Sequence, residues 1–276
     1  QEYEDRYMVF EFYPDEQLGD IYDQYNRVRK ISSDTSAFYM EYRHDRWHAS
    51  DTLWSMKAYL GGESSSIPFF CIGNHDQPRT ASRLGYEKAR ALSFQNLMTP
   101  GISVVYYGDE IGMENGDLSE SQIQDTFSPS NTKFDSRDLE RTPMQWDDSQ
   151  FAGFSDNSPW LPVHENKEWA NVMAQSSHDN SLLSMHRRLL HLRSQLPVLR
   201  FGSLEPLDVC SGYVLAFKRE LDGARAYVVV NYADSSQRIL LPAQARVIAS
   251  TSRLVSFEQK TIGVDLGAHE ALLLMV

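Results

Sequence analysis

Between residues 7 and 107, short apolar runs alternate with stretches of helical periodicity at intervals of about 30 residues, the period of a strand–helix repeat. No other feature limits the fold as much. Residues 7–13 read as a strand. In 15–30, Leu18, Ile21, Tyr22, Tyr25 and Val28 recur at helical spacing. Asp15 and Glu16 open that stretch and Arg27, Arg29 and Lys30 close it, an order that complements a helix dipole. Residues 37–42 form a weaker strand pattern, followed by a helix over 47–60 that stops at Gly61-Gly62. A strand over 67–72, a helix over 86–98 ending at Thr99-Pro100-Gly101, and a strand over 103–107 follow. Strands joined through helices lie parallel, because each crossover returns the chain to the same end of the sheet. The expected class is therefore α/β, an α/β sheet or part of a (β/α)8 barrel.

Residues 108–167 break the alternation. They are long, polar and rich in Asp, Ser, Asn and Pro, and a loop of that length in a compact domain is usually functional or mobile. Trp146, Phe151, Phe154 and Trp160 indicate that it is anchored. A strong helix over 178–196 carries Leu182, Leu183, Met185, Leu189, Leu190, Leu192 and Leu196 and closes at Pro197. From about residue 201 the pattern changes to short strands, at 213–217, 226–231, 238–241, 246–250 and 271–276, with Leu221-Asp222-Gly223 as a turn. The expected division is a first domain over 1–200, with the long loop at 108–167, and a small antiparallel β domain over 201–276.

The net charge is −12, which argues against a broad nucleic-acid surface, since phosphate binding needs an excess of Lys and Arg on one face. Cys71 and Cys210 both sit in apolar runs and read as buried thiols. No apolar run approaches the roughly 20 residues that span a bilayer. The chain opens Gln-Glu-Tyr-Glu-Asp, without Met or a signal-peptide pattern, as a piece whose natural start lies upstream would.

The most informative stretch for chemistry is Ile72-Gly73-Asn74-His75-Asp76-Gln77-Pro78-Arg79, at the carboxyl end of a strand expected to be buried. In parallel α/β folds ligands bind at that end. An adjacent His and Asp can position a sugar hydroxyl and face a developing positive charge; equally, the stretch can be a turn in which Asp caps the next helix. Glu11, inside the run Met8-Val9-Phe10-Glu11-Phe12-Tyr13, is either a desolvated carboxyl with a raised pKa, as a general acid requires, or an edge-strand side chain facing water. Arg137, Asp138 and Arg141 precede Thr142-Pro143-Met144-Gln145-Trp146-Asp147 and offer fixed donors for hydroxyls, or form a solvated charge run. Asp109-Glu110, after Tyr106-Tyr107-Gly108, either line the cleft or cap the loop. His44 and His48 have HxxxH spacing, but two ligands without a third do not define a metal site, and neither metal nor cofactor is expected.

Taken together, Gly73-Asn74-His75-Asp76-Gln77-Pro78-Arg79, the run from Thr99 through Tyr106-Tyr107-Gly108-Asp109-Glu110-Ile111-Gly112-Met113, Ser136-Arg137-Asp138, Arg141-Thr142-Pro143-Met144-Gln145-Trp146-Asp147 and Ala152-Gly153-Phe154-Ser155 resemble the α-amylase family of glycoside hydrolases. The nearer branch is that of α-glucosidases, maltases and oligo-1,6-glucosidases. The resemblance implies the carboxyl-terminal half of a (β/α)8 barrel, strands five to eight, followed by a small all-β domain, with the amino-terminal half-barrel outside the chain.

Residue by residue, the resemblance implies that Glu11 is the catalytic acid/base and Asp76 the transition-state stabiliser. His75 matches the histidine that contacts hydroxyls of the sugar being cleaved, and Arg79, the arginine of the same block, is implied as a further substrate-binding residue. Either Arg137 or Arg141 matches the arginine that reads the non-reducing end. Nothing before Glu11 matches the Gly-Phe-Arg-X-Asp type of block that holds the nucleophile, and Asp5 lies before the strand rather than at its active end. The implied partner is an α-glucoside disaccharide or oligosaccharide, with Tyr107 and Trp146 against its apolar faces. No nucleic acid is implied, and a membrane only through a segment upstream. The implied setting is extracellular or anchored on the outer face of a membrane, with a cytoplasmic setting left open. A second reading is the glucosidase-like ectodomain of an amino-acid transporter heavy chain, and a third a pseudoenzyme.

Overall fold

A computed structural model describes residues 6–11, 20–31, 35–39, 47–60, 66–125, 136–209, 211–252 and 260–276. The first part of the chain builds a parallel sheet. Strand β1 (Met8–Phe10) leads to helix α1 (Ile21–Arg29), β2 (Thr35–Tyr39) to α2 (Ala49–Leu60), and β3 (Phe69–Cys71) to α3 (Thr80–Leu84) and α4 (Tyr86–Met98). Strand β4 (Ile102–Val104) follows, and the order β1-β2-β3-β4 makes every neighbour pair parallel. The carboxyl ends of the four strands therefore share one rim. Tyr59 of α2 joins two of the strands, donating to the Ala37 carbonyl at 2.7 Å and accepting from the Phe69 N–H at 3.0 Å.

The observed strands are shorter than the sequence pattern suggests, and β1 is an edge strand with Met8 exposed. The start of the helix expected over 15–30, with Leu18, lies outside the described residues, as do His44, Gly61-Gly62 and Cys210. Cys71 is buried, its Sγ donating to the Gly73 carbonyl at 3.0 Å.

After β4 the chain runs to residue 171 with only short 3-10 turns, at Asp109–Ile111, Glu120–Gln122, Arg137–Glu140 and Glu165–Glu168 among the described residues. Helix α5 (Val172–Ser176), capped by Asn171, and α6 (Leu182–Gln195), capped by Ser181, then cover the loop's inner side. Pro197 does end α6, but it also opens a further turn, α7 (Pro197–Phe201), where its fixed φ and missing N–H suit the first helical position.

The last part is antiparallel. Strands β5 (Ser203–Pro206), β6 (Val214–Leu221), β7 (Ala224–Asn231), β8 (Gln237–Ser250), β9 (Lys260–Leu266) and β10 (Ala271–Met275) form one sheet in the order β5-β6-β7-β10-β8-β9. Asp222 and Gly223 turn β6 into β7, both with positive φ, as a two-residue hairpin demands. One face of this sheet shares a core with the helices, in which Leu215, Phe217, Val228, Val230 and Leu273 join Phe94, Leu97, Met98, Leu189 and Leu199. The other face has its own core of Val214, Tyr227, Val229, Leu241, Leu266 and Leu274.

Two arginines, one buried and one half-buried, tie the layers together. Arg219 of β6 is wholly buried and donates to the carbonyls of Ser203 (2.9 Å), Met98 (2.7 Å), Leu199 (3.0 Å) and Gly202 (2.8 Å). Arg193 of α6 donates to the carbonyls of Leu97 and Thr99 at 2.7 Å, of Leu199 at 3.0 Å, and of Gly101.

Candidate active site

The loop from Gly73 to Arg79 leaves the carboxyl end of β3. Local bonds fix its shape. Asn74 Oδ1 accepts from the Asp76 N–H at 2.9 Å, the Thr80 hydroxyl donates to the Ile72 carbonyl at 3.1 Å, and Arg83 donates to the carbonyls of Pro78 and Ile72 at 2.9 Å each. The arrangement lifts the Asp76 carboxylate to the rim while leaving its side chain only 23% exposed.

Three cationic or polar groups converge on one oxygen, Asp76 Oδ1. Arg141 Nη2 lies at 2.9 Å, Arg137 Nη1 at 3.2 Å and His75 Nε2 at 3.6 Å. Arg141 also donates through Nε to the His75 carbonyl at 2.8 Å, so it holds both residues of the pair. Arg137 is itself gripped by Asp125, with Nε to Oδ2 at 2.8 Å and Nη2 to Oδ1 at 2.9 Å, the planar fork that matches a carboxylate. Asp125, followed first by Asp76, holds the Arg137 pKa above its ordinary value. Asp138 in turn accepts the backbone N–H groups of Gln124 (2.5 Å) and Asp125 (2.7 Å) and so fixes where Asp125 stands. The sequence pointed to the Arg–Asp cluster but not to Asp125. Asp125 lies 12 residues before Arg137 in a polar loop, and no local spacing marks it.

Arg79 does not stand with these residues in the open part of the site. It is completely buried, donates to the Tyr107 carbonyl at 2.6 Å, and lies over the rings of Tyr106 and Tyr107 at 5.1 and 4.8 Å. Its backbone N–H goes to Asn115 Oδ1 at 2.7 Å. This corrects the expectation of a substrate contact, because a guanidinium under two tyrosine rings has no surface to offer a sugar. Tyr107 is 37% exposed and Trp146 49% exposed. Tyr107 is fixed from behind by its hydroxyl bond to the Thr142 carbonyl at 2.7 Å.

Glu11 directly follows β1 and is exposed, as an edge-strand side chain facing water rather than a buried one. It stands at the carboxyl end of its strand, as the Asp76 loop does at the end of β3. The Cys71 thiol is pushed up to about 12, mainly by burial and further by the charges of Asp109 and Glu11. Beneath the rim, burial pushes the carboxyls of Asp109 and Glu140 up to about 7 each. Among the described residues no cluster of three or more His, Cys, Asp or Glu side chains is placed to hold a metal ion.

A parallel sheet with an Asp–His–Arg constellation on its carboxyl rim, followed by an antiparallel β sheet, is the architecture of the α-amylase class of proteins. The alpha amylase catalytic-domain family matches residues 9–202, and the chain belongs to it. An alpha-glucosidase of Apis mellifera is 39% identical over 185 residues, 65% of this chain and 32% of that protein. The amino acid transporter heavy chain SLC3A1 of Homo sapiens is 32% identical over 194 residues, 67% of this chain and 27% of that protein. Among solved structures, the trehalulose synthase MutB from Pseudomonas mesoacidophila MX-45 aligns with a TM-score of 0.75 and 26% identity, over 87% of this chain and 50% of that one. The chain spans about a third or less of the length of these curated relatives.

Proposed function

We propose that this chain supplies the acid/base and stabiliser half of a retaining α-glucosidase that releases glucose from the non-reducing ends of α-glucosides. The observation that carries the reading is the Asp76 carboxylate held by His75, Arg137 and Arg141 on the carboxyl rim of a parallel sheet. In this reading Glu11 protonates the leaving oxygen and later activates water, while Asp76 stabilises the oxocarbenium-like charge. Arg137 or Arg141 reads the terminal hydroxyls, and Tyr107 and Trp146 pack against the sugar. A retaining mechanism needs a second carboxylate as nucleophile, about 5–5.5 Å from the acid. In the proposed whole protein it comes from four further strand–helix units that complete the barrel.

The exposed Tyr7 and Met8 at one edge of the sheet and Ile102 and Val105 at the other support that completion, because parallel sheets are normally covered. In the whole protein, Glu11→Gln is expected to lower maltose hydrolysis by about a hundredfold or more; unchanged turnover refutes the assignment. The isolated chain is expected to show no maltase turnover, and turnover by the purified chain would refute the need for an outside nucleophile.

The identity to a transporter heavy chain favours a second reading, a glucosidase-like ectodomain without turnover. A whole protein that retains wild-type Glu11 and Asp76 yet neither hydrolyses nor binds maltose would favour it. An extracellular or outer-face location belongs to both readings, and surface labelling of intact cells tests it.

A further inference from the structure

Asp109 opens the 3-10 turn Asp109–Ile111 and is buried; neither carboxyl oxygen makes a well-formed hydrogen bond, although the Tyr106 backbone favours its ionised form. Among the described residues it makes no ion pair, although the Arg79 and Arg83 guanidiniums act on it electrostatically. An unsatisfied buried carboxyl is costly, so its place has to be accounted for by something other than its own bonds. Its Oδ2 lies against Gly73, the first residue of the loop that carries His75 and Asp76. A Cβ at Gly73 would stand 2.7 Å from that oxygen, a distance no packed side chain tolerates. At the far end of the same loop stands Arg79, whose Nε and Nη2 are also buried without partners and which lies beside Gly108, next to Asp109. Asp109 thus packs on the first residue of the loop, while its chain neighbour Gly108 packs on the last.

We propose that Asp109 is a positioning residue for the site: its carboxyl group, packed against Gly73, sets the height at which the loop presents His75 and Asp76. The inference rests on the reading of Asp76 as the transition-state stabiliser only for its catalytic consequence. The charged and titratable groups facing Asp109 are Arg79 and Arg83, which favour its ionised form, Glu110, which opposes it, and the Cys71 thiol, which stays protonated. Burial outweighs them and holds the carboxyl protonated up to about neutrality. Ionisation above that range places a charge against Gly73, draws it toward Arg79 and displaces the loop.

The test is amide hydrogen exchange on the 276-residue chain, corrected for intrinsic rates, at about pH 6 and about pH 8, on the side of neutrality where Asp109 is protonated and on the side where it is ionised. In the wild type, exchange over residues 73–80 is expected to rise about tenfold between the two, while β6 and β7 stay protected. Asp109→Asn, a neutral mimic, is expected to stay protected at both, and Asp109→Ala to exchange fast at both. Equal pH responses in the wild type and Asp109→Asn overturn the proposal, as does Asp109→Ala loosening β6 and β7 as much as the loop. In the whole protein, Asp109→Ala is expected to lower kcat on maltose about tenfold with KM within about twofold, because the stabiliser acts in the transition state. Unchanged kcat overturns the catalytic consequence. If the wild-type whole protein does not turn over maltose, the glucosidase reading fails and the exchange experiment still decides this one.

Discussion

Asp109 and His186 are both buried, yet burial moves their pKa values so that they respond to pH in opposite directions. The Asp109 carboxyl rises from 3.8 to about 7, so the folded chain holds a proton there that the unfolded chain releases. The stability this gives is complete below 3.8 and is lost as pH rises through 7, a loss on the order of 4 kcal/mol. Asp109→Asn is therefore expected to gain on the wild type in urea denaturation as pH climbs from about 4 to 7. The His186 imidazole, its Nδ1 at 3.0 Å from the Leu182 carbonyl, falls from 6.5 to about 4 through burial. There the unfolded chain takes up the proton first, and about 3 kcal/mol is lost as pH falls from 6.5 through 4. His186→Gln is expected to gain on the wild type over that acid window. At this scale the sequence showed the residue types and their order on the rim, because His75 and Asp76 are neighbours in the chain. It did not show that Arg79 would be covered by Tyr106 and Tyr107, or that Asp125 would seize Arg137, since both depend on loops that meet only in the folded chain.

Helices and strands were legible where apolar residues concentrate and are buried, as in α4, α6, β6 and β7. They were not legible at the edges of the antiparallel sheet. Strand β5 alternates between exposed and partly covered positions and β9 buries only Val264 and Leu266, so both carry too few apolar residues to stand out from loop. Segments 238–241 and 246–250 read as two strands because Pro242 interrupts them. They are one, β8, whose pairing with β9 shifts register between Leu240 and Ala245, around the residue that has no N–H to donate. The joint between α4 and β6 was also invisible, since nothing in a sequence marks an arginine whose acceptors are all backbone. Arg219 sits in that joint with its pKa lowered to about 9, first by burial and then by the neighbouring Arg193. Arg219→Ala is expected to cost about 3–5 kcal/mol in urea denaturation, because buried carbonyls lose their donors. Arg219→Lys is expected to recover little of it, because an ammonium cannot reproduce the fork.

Two sheets share one helical layer, and the antiparallel sheet carries a core on each of its faces. The parallel sheet ends, among the described residues, in β1 and β4, each flanked by exposed apolar side chains. Unpaired strand edges of that kind invite association. Light scattering from the isolated chain is expected to rise with protein concentration, and the pair Tyr7→Lys and Ile102→Lys to suppress the rise; scattering that stays flat in the wild type would show the edges to be self-sufficient. The parallel sheet's incompleteness contrasts with the arginine joint, where Arg193 and Arg219 bind seven different residues through peptide oxygens alone. Every amino acid carries that oxygen. The joint itself therefore asks nothing of side-chain identity in 97–101 and 199–203; what holds those positions is the core packing of Leu97, Met98 and Leu199 and the close backbone approach at Gly101 and Gly202.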